Sequence, residues 1–358
     1  MKKFFMPVFL VILLASTAFC EDAANTTKEF KNATITDSDN TSTSLTSPSL
    51  EDCTINFGNS SNFQLADGAE ILINGTVTVN SFAQPLFNLH GSATFSGTGK
   101  IILKSDKALI NEAVYSSSAN YIAGTVSISG VTIENKASKQ TITLSGSSLK
   151  LENGANIVYP SNTSSCVQLQ NGGTFSMEDG CSLDGGETAL VLWNGANATM
   201  TGGTIKGNSY GVRFNTSGSL TMTGGTISGG KYGICYGKSG ATPSASATVT
   251  LGNSATVGEG NIHIGGGNTI TIQDGWTGSA GVTTATAPTS DSPIAVTDTS
   301  GKNMSVMKTS SSDYPNFTKQ LYLGTPTTGG GGYGANGDYG IRMKSDGTVQ
   351  IVTHSTSW

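Results

Sequence analysis

The chain has 358 residues and a net charge of -5, and only 12% of its residues are charged. This low charge excludes a disordered polyelectrolyte and a charge-rich helical protein. Because the whole chain contains two arginines, it offers no basic footprint for nucleic acid or for an anionic membrane, and we expect no nucleic-acid partner.

Residues 1–20 have the organisation of a secretory signal peptide. Its three parts are basic residues 2–3, an apolar core at 4–14 and small residues at 15–18. We expect cleavage after Ala18 or Cys20. Lipidation at Cys20 is the alternative, but Phe19 fits a bacterial lipobox poorly, so ordinary secretion is favoured. Either route exports the chain, and no other segment is long enough for a membrane helix.

A polar stretch and then a series of strand-like runs follow the signal peptide. Residues 21–50 are mostly Thr, Ser, Asn and Asp, which predicts a flexible leader. From Cys53 onward, short runs rich in Ile, Val, Leu and Thr predict strands at irregular spacing. These runs are 70–73, 76–79, 100–103, 125–128 and 141–144.

The centre of the chain repeats itself with a constant period. NGANATMTGGTIKGNSYGVRFNT starts at Asn194, and the similar TSGSLTMTGGTISGGKYGICYGK starts at Thr216, an interval of 22. Apolar residues alternate within each unit, as Val212 and Phe214 do around Arg213, and this pattern predicts strands. Glycine pairs between the strands suit sharp corners. A unit this short cannot bury its own hydrophobic face, so it must stack on its neighbours.

These features predict an all-β fold, a right-handed parallel β-helix (β-solenoid) of about ten coils over residues 51–276. Leucine-rich repeats are excluded by the missing leucine and asparagine frame, and a hairpin array would not need columns of like residues. Two buried columns are predicted, Leu183–Ile205–Ile227 and Leu190–Val212–Ile234. Residues 277–358 are predicted to form a small C-terminal β cap or module that includes a hairpin across Asp346-Gly347.

Four cysteines remain after export, namely Cys53, Cys166, Cys181 and Cys235. In the repeat register, Cys166 aligns three coils away from Cys235. That separation is about 14 Å, which is too far for a disulfide. We therefore expect most of these cysteines to be small packing residues.

The coils also carry a family resemblance. The motif Met-Thr-Gly-Gly-Thr-Ile at 200–205 and 222–227 resembles coils of the right-handed parallel β-helix (pectin-lyase-like) superfamily. More narrowly, the chain resembles non-catalytic bacterial exported surface and adhesin-type proteins with GGTI-containing coils. The resemblance implies a location at the cell surface or outer membrane, or secretion.

Enzymes of that superfamily cleave acidic polysaccharides with converging carboxylates and basic residues. The best acidic patch in this chain is one coil with Glu178, Asp179, Asp184 and Glu187, and Lys206 lies one coil beyond Asp184. Solvated surface carboxylates are the simpler interpretation. We predict no catalytic set, no metal site and no cofactor. His263, which alternates with two isoleucines, is predicted to point outward from a strand.

Two outward features are candidates for ligand binding. Tyr210 and Tyr232 occupy equivalent positions of successive repeats, at a corner, and are predicted to stack as a flat platform for sugar rings. Threonine columns could order water, as ice-binding solenoids do, although threonine is also common on strand exteriors. These columns contain Thr201, Thr204, Thr223 and Thr226.

The function predicted from the sequence is that of an exported rod that binds and displays without catalysis. Its expected partners are glycans or matrix proteins on host or neighbouring cells. The alternative is a carbohydrate-active enzyme, lyase-like or hydrolase-like, or a sugar-binding β-helix that uses the acidic coil near Asp184. The candidate binding set common to both comprises Tyr210, Tyr232, Asp184, Glu187 and Lys206.

Overall fold

The computed structural model shows an all-β parallel solenoid of about nine turns with nearly no helix. The structure describes residues 27–39, 44–58, 61–81, 85–112, 122–237, 247–264, 269–273, 276–284, 294–298, 321–323, 339–343 and 349–353. Within these ranges the strands form three stacks, which we call faces 1, 2 and 3, and each complete coil contributes one strand to each face.

Face 1 is a continuous ladder in which each strand pairs in parallel with the strand of the next coil. Its strands are β1 (Glu29–Lys31), β3 (Ser49–Glu51), β6 (Ala69–Asn74), β9 (Ala93–Ser96), β12 (Thr125–Ser129), β15 (Ser148–Glu152), β18 (Thr174–Met177), β21 (Ala196–Met200), β24 (Gly218–Met222), β27 (Ala247–Leu251), β29 (Thr269–Ile272) and β31 (Ile294–Asp298).

Face 2 follows each face 1 strand after one corner and is also parallel. Its strands are β2 (Thr34–Thr36), β4 (Thr54–Asn56), β7 (Thr76–Ser81), β10 (Lys100–Leu103), β13 (Thr132–Asn135), β16 (Asn156–Tyr159), β19 (Ser182–Gly185), β22 (Thr204–Gly207), β25 (Thr226–Gly229), β28 (Thr256–Ile264), β30 (Ala280–Thr284) and β32 (Leu321–Leu323).

Face 3 completes each coil with a third parallel ladder. Its strands are β5 (Phe63–Leu65), β8 (Phe87–Leu89), β11 (Ile110–Asn111), β14 (Ile142–Ser145), β17 (Ser165–Gln170), β20 (Thr188–Leu192), β23 (Tyr210–Phe214) and β26 (Tyr232–Tyr236), and the far end of β28 joins this face beside β26. A 3-10 turn at Asp37–Asp39 follows β2.

The two predicted core columns are confirmed. Leu183 pairs in register with Ile205, and Ile205 with Ile227, on face 2. The second column, Leu190–Val212–Ile234, lies on face 3. All six side chains are fully buried. The alternation of apolar and polar residues therefore does place one side of each strand inside the solenoid, where like residues of successive coils stack.

The solenoid begins earlier than the sequence predicted. Within the stretch expected to be a flexible leader, β1 pairs with β3 and β2 pairs with β4. Ile35 is fully buried and Phe30 packs against the core, so a few apolar residues are enough to join this polar stretch to the first coils. Residues 1–20, which are predicted to be a signal peptide, lie outside the described residues, and Cys20 is among them.

The parallel ladders also continue past residue 276, where the prediction placed a boundary. β30 and β31 extend faces 2 and 1, and β32 follows on face 2. The predicted hairpin is confirmed, since β33 (Tyr339–Met343) pairs antiparallel with β34 (Val349–Thr353). β34 in turn pairs antiparallel with β31, so the hairpin lies on the last described strand of face 1.

Candidate functional site

The structure places the two candidate tyrosines in a small cluster outside the main core. Tyr210 and Tyr232 are register partners on face 3, and their ring centroids lie 6.0 Å apart with planes at 32°. The predicted open platform requires correction, because the exposed fractions of the two residues are 5% and 2%. The reason is that β26 is buried along its whole length, on its outer side as well as its inner side.

His263 extends this aromatic row by one coil. It is the register partner of Cys235, and its ring lies 3.9 Å from the ring of Tyr232 at an angle of 5°. The histidine lies outside the main core, but it is buried rather than solvated. Burial lowers the pKa of His263, and the nearby positive charge of Lys231 lowers it further, to about 4. The imidazole is therefore neutral at pH 7.

Arg213 occupies the outward position of β23 between these rings and the next corner. Its guanidinium lies 5.8 Å from the centroid of Tyr210, and its Nη1 is 3.9 Å from Oε2 of Glu187. Its side chain is only 12% exposed, and no described residue accepts a hydrogen bond from its Nε or Nη1. We name as the outer cluster Tyr210, Tyr232, Cys235, His263 and Arg213.

The sequence pattern predicts only that Arg213 and His263 point outward from their strands. The spacing of the repeat already aligned Arg213 with Cys235, which the structure confirms as register partners. An arginine in the same column as a cysteine is unusual for a solvated strand exterior, and this alignment could have identified Arg213 as a candidate functional residue. The burial of the column could not be seen from alternation, because alternation separates core from non-core but not covered from uncovered.

The carboxylates of the acidic coil are distributed around the rod. Glu178 and Asp179 lie at the corner after β18, Asp184 lies on face 2 and Glu187 lies at the corner before β20. Asp184 is exposed beside its register partner Lys206, which is also exposed. Glu187 is the member that approaches the outer cluster. The coil therefore brings one carboxylate, not four, towards Arg213.

Other carboxylates hold neighbouring coils together at the corners. Asp52 accepts a hydrogen bond from the backbone N–H of Thr76 at 2.8 Å, and Asp67 accepts one from Ser92 at 2.7 Å. Asp106 accepts one from the N–H of Ser138 at 3.1 Å. Each of these bonds links a corner to the following coil. The backbone bond, followed by the Ser138 hydroxyl, lowers the pKa of Asp106.

Similar corner bonds and ion pairs involve further acidic residues. Asp37 accepts the N–H of Gly58, and its bond to Ser61, followed by the one to Gly58, lowers its pKa. Glu134 lies 3.0 Å from Nζ of Lys136 and also pairs with Lys100. These side chains stabilise the stack of coils by charge-assisted hydrogen bonds.

The four cysteines are free and buried, as expected for packing residues. Burial raises the pKa of the Cys166 and Cys235 thiols to about 12, so both are protonated at neutral pH. Among the described residues, no group of three or more His, Cys, Asp or Glu side chains is placed to hold a metal ion. The described part of the chain also contains no helix long and apolar enough to span a membrane.

A scan against protein-family models, a search of curated proteins and a search of solved structures each find no match to this chain. The parallel β-solenoid stands on the structure itself. The resemblance to the pectin-lyase-like superfamily and to adhesin-type proteins stays a prediction.

Proposed function

We propose that this protein is an exported rod that binds and displays ligands at a cell surface or in the extracellular space without catalysing a reaction. The observation that supports the absence of catalysis is that several carboxylates form structural hydrogen bonds between neighbouring coils. Asp37, Asp52, Asp67 and Asp106 accept backbone N–H groups of the next coil. A glycoside lyase or hydrolase would instead need such groups to converge on one bond of the substrate.

The expected partners are glycans or matrix proteins of host or neighbouring cells. A stacked solenoid offers long lateral surfaces, and its stability comes from contacts between neighbouring coils. Binding along such a surface needs no change of shape. The proposal therefore has two parts that can be tested separately, namely exposure outside the cell and binding without turnover.

Turnover is tested by incubating the purified protein with pectic and other acidic glycans, with and without Ca²⁺. We expect no unsaturated ends and no new reducing ends. Product release that disappears in Asp184→Asn, and persists in the matched surface control Lys150→Gln, would overturn the non-catalytic proposal.

Exposure is tested on intact cells of the source organism. We expect added protease or a membrane-impermeant label to reach the protein. Complete protection of the protein in intact cells, with cleavage after lysis, would contradict surface display.

Binding is tested on an array of glycans and matrix proteins, which identifies the partner. The absence of any retained ligand class would contradict binding.

Sugar binding at the outer cluster is the second candidate function. The specific observation in its favour is Arg213, which lies beside Tyr210 and Glu187 and whose buried Nε and Nη1 have no acceptor in the part of the chain that the structure describes. A carboxylate or hydroxyl of an acidic sugar would satisfy these donors. If this candidate is correct, Arg213→Gln abolishes retention of acidic glycans on the array, whereas Lys150→Gln, at an exposed position of β15 on face 1, leaves it unchanged. Equal retention by both variants would exclude the outer cluster as the site.

A further inference from the structure

From β18 to β29, the outer side of face 1 carries a regular array of uncharged polar side chains, nearly all of them hydroxyls. In β18, β21, β24 and β27 two such side chains point outward, and register pairing stacks them into two columns, the second of which continues to Thr271 of β29. The first column contains Thr174, Asn197, Ser219 and Thr248, and the second contains Ser176, Thr199, Thr221, Thr250 and Thr271. We call these nine residues the hydroxyl ladder.

The ladder is wider in its central coils and carries no charge. Thr201 and Thr223, which the sequence had singled out, follow β21 and β24 and continue the outward row by one position. The face 1 strands from β18 to β29 contain no Asp, Glu, Lys or Arg. The same strands contribute no aromatic residue to their outer side, so sugar rings would find no stacking surface there.

Three consecutive hydroxyls of the second column are available to solvent. Thr199 is exposed, and Thr221 and Thr250 are partly exposed. Among the described residues, these three hydroxyl groups form no hydrogen bond with the protein. In the first column, by contrast, the hydroxyl of Ser219 donates to Asn197 Oδ1 at 2.6 Å. The second column therefore presents a row of donors and acceptors whose partners must come from outside.

The ladder is also fixed in position. Inward residues of the same strands, including Met200, Leu220 and Val249, are fully buried in the core. Threonine is β-branched, so its side chain has few χ1 states, and a Thr column is ordered before any ligand arrives. Ordering these hydroxyls on binding therefore costs little conformational entropy.

The geometry sets the repeat of the array in two directions. Neighbouring strands of a sheet lie about 4.8 Å apart, and outward residues of one strand lie about 6.6 Å apart. A flat, uncharged and periodic array of hydroxyls matches a ligand that is itself periodic and uncharged. The oxygen rows of hexagonal ice repeat at distances close to these two spacings.

We infer that the hydroxyl ladder is an ice-binding surface, which holds a layer of ordered water that merges with the lattice of an ice crystal. The threonine hydroxyls hydrogen-bond the water layer, and their methyl groups fill the spaces between its molecules. This function goes beyond the proposed binding of cell-surface ligands and uses a different part of the rod.

The test is partition of the purified full-length protein into a slowly grown ice hemisphere, with measurement of ice recrystallisation. Wild-type protein is expected to be enriched in the ice fraction and to keep ice grains small. In Thr221→Tyr, a bulky ring breaks the flat array, and enrichment is expected to fall to that of a non-binding protein of similar size. The matched control is Ser228→Tyr, on β25 of the same coil, because Ser228 is also partly exposed but belongs to face 2 and to none of the threonine columns.

Two results would overturn the inference. One is exclusion of the wild-type protein from ice, and the other is equal enrichment of the Thr221 and Ser228 variants. Far-UV circular dichroism and thermal unfolding check that both variants fold, and Thr221→Lys serves as a second disruption if the tyrosine is not tolerated. Retention on the glycan and matrix-protein array is measured in parallel. If the wild-type protein binds ligands on the array but is excluded from ice, only the ice-binding inference is contradicted. If it enters ice but retains no ligand on the array, only the proposed function is contradicted.

Discussion

His263 links the stability of the outer cluster to pH. Its pKa is lowered from 6.5 to about 4 by burial and, second, by Lys231; its ring stacks on Tyr232, and it pairs in register with Cys235. Between these two values the unfolded chain binds a proton that the folded chain does not. The contribution of the neutral histidine to stability is therefore fully present above pH 6.5 and is lost as the pH falls to about 4.

We predict that His263→Gln flattens the pH dependence of stability in this interval. Urea unfolding midpoints measured from pH 7 to pH 4.5 should decline less steeply for the variant than for the wild type. Parallel declines in the two proteins would show that His263 does not carry the effect. The matched control is His90→Gln, because His90 lies elsewhere on face 3, after β8.

Gly185 illustrates a corner that only glycine can form. Its φ is 101°, and an added Cβ would overlap the backbone carbonyl oxygen of Tyr159 in the preceding coil. Gly154 also has a positive φ, 77°, but an added Cβ would have no atom within 4 Å. The first position combines a left-handed backbone with a steric overlap, whereas the second has only the backbone constraint.

Gly154→Ala is therefore expected to lower the free energy of unfolding by about 1–2 kcal/mol. Gly185→Ala is expected to lower it by more than about 3 kcal/mol, because the corner must also move away from Tyr159. Chemical denaturation of both variants measures the difference. Equal losses would mean that the corner at Gly185 relaxes without cost.

At the scale of the residue, the sequence predicts which side chains lie next to each other in successive coils, but it does not predict which outward side chains are buried. The spacing of Tyr210 and Tyr232 predicts that they are neighbours in successive coils, and their register pairing confirms it, with the two rings tilted at 32°. Their burial is not predictable from alternation, because alternation shows which side of a strand faces the core and not whether the other side is covered. Thr199 and Thr221 are separated by one repeat, as Thr201 and Thr223 are, so the same spacing identifies them as a column.

At the scale of the element, register was predictable only where corners have equal length. From Leu183 to Ile227 the paired residues keep the interval of the central repeat. Earlier coils vary in length, since Glu29 pairs with Ser49 across 20 residues and Phe95 pairs with Ile128 across 33. The apolar alternation of these strands was visible, but insertions at corners hide the period. Corner length depends on turn chemistry and not on the core pattern.

The stacked columns predict a sharp contrast between neighbouring residues of one strand. Ile205 of β22 is fully buried between Leu183 and Ile227, and Lys206 is exposed beside it. Ile205→Ala should lower the free energy of unfolding by about 2–5 kcal/mol because it leaves a cavity in the column. Lys206→Ala should change it by less than about 0.5 kcal/mol. Similar losses in both variants, measured by urea unfolding, would contradict the register.

At the scale of the whole molecule, repetition predicts tolerance to the removal of a complete coil. Deletion of residues 205–226 joins Thr204 to Ile227 and keeps each strand in register with its new neighbours, since the deleted length equals one repeat. In a repeat protein, stability is approximately a sum of terms for each unit and each interface. The shortened protein should therefore fold with unchanged strand content and a modest loss of stability.

The control is deletion of residues 205–215, which is half a coil. In this protein the strands after the deletion no longer meet their register partners, so inward residues of one face lie beside outward residues of another. This second protein should lose its cooperative thermal transition, while the first keeps it. Far-UV circular dichroism and calorimetry compare them. Cooperative unfolding of both, or of neither, would contradict the proposed equivalence of the coils.

The parallel fold was predictable because the central repeat determines it, but the limits of the rod were not. Residues 27–39 look like a polar leader, yet Ile35 joins the core and β1 and β2 form the first described strands. At the other end, β30 and β31 continue ladders beyond the change in composition that suggested their end. A terminal coil can pair through its backbone with few apolar side chains, and so its sequence carries little signal.

The parallel pairing of successive coils gives the rod a defined response to force. Backbone hydrogen bonds between coils point along the long axis, and each ladder joins a coil only to its two neighbours. Tension along that axis would therefore load one interface at a time and peel the coils in sequence. Each coil of the central repeat would release about 75 Å of extended chain. Under load, the molecule would lengthen in steps, so a tether built from it would absorb a pull before it broke.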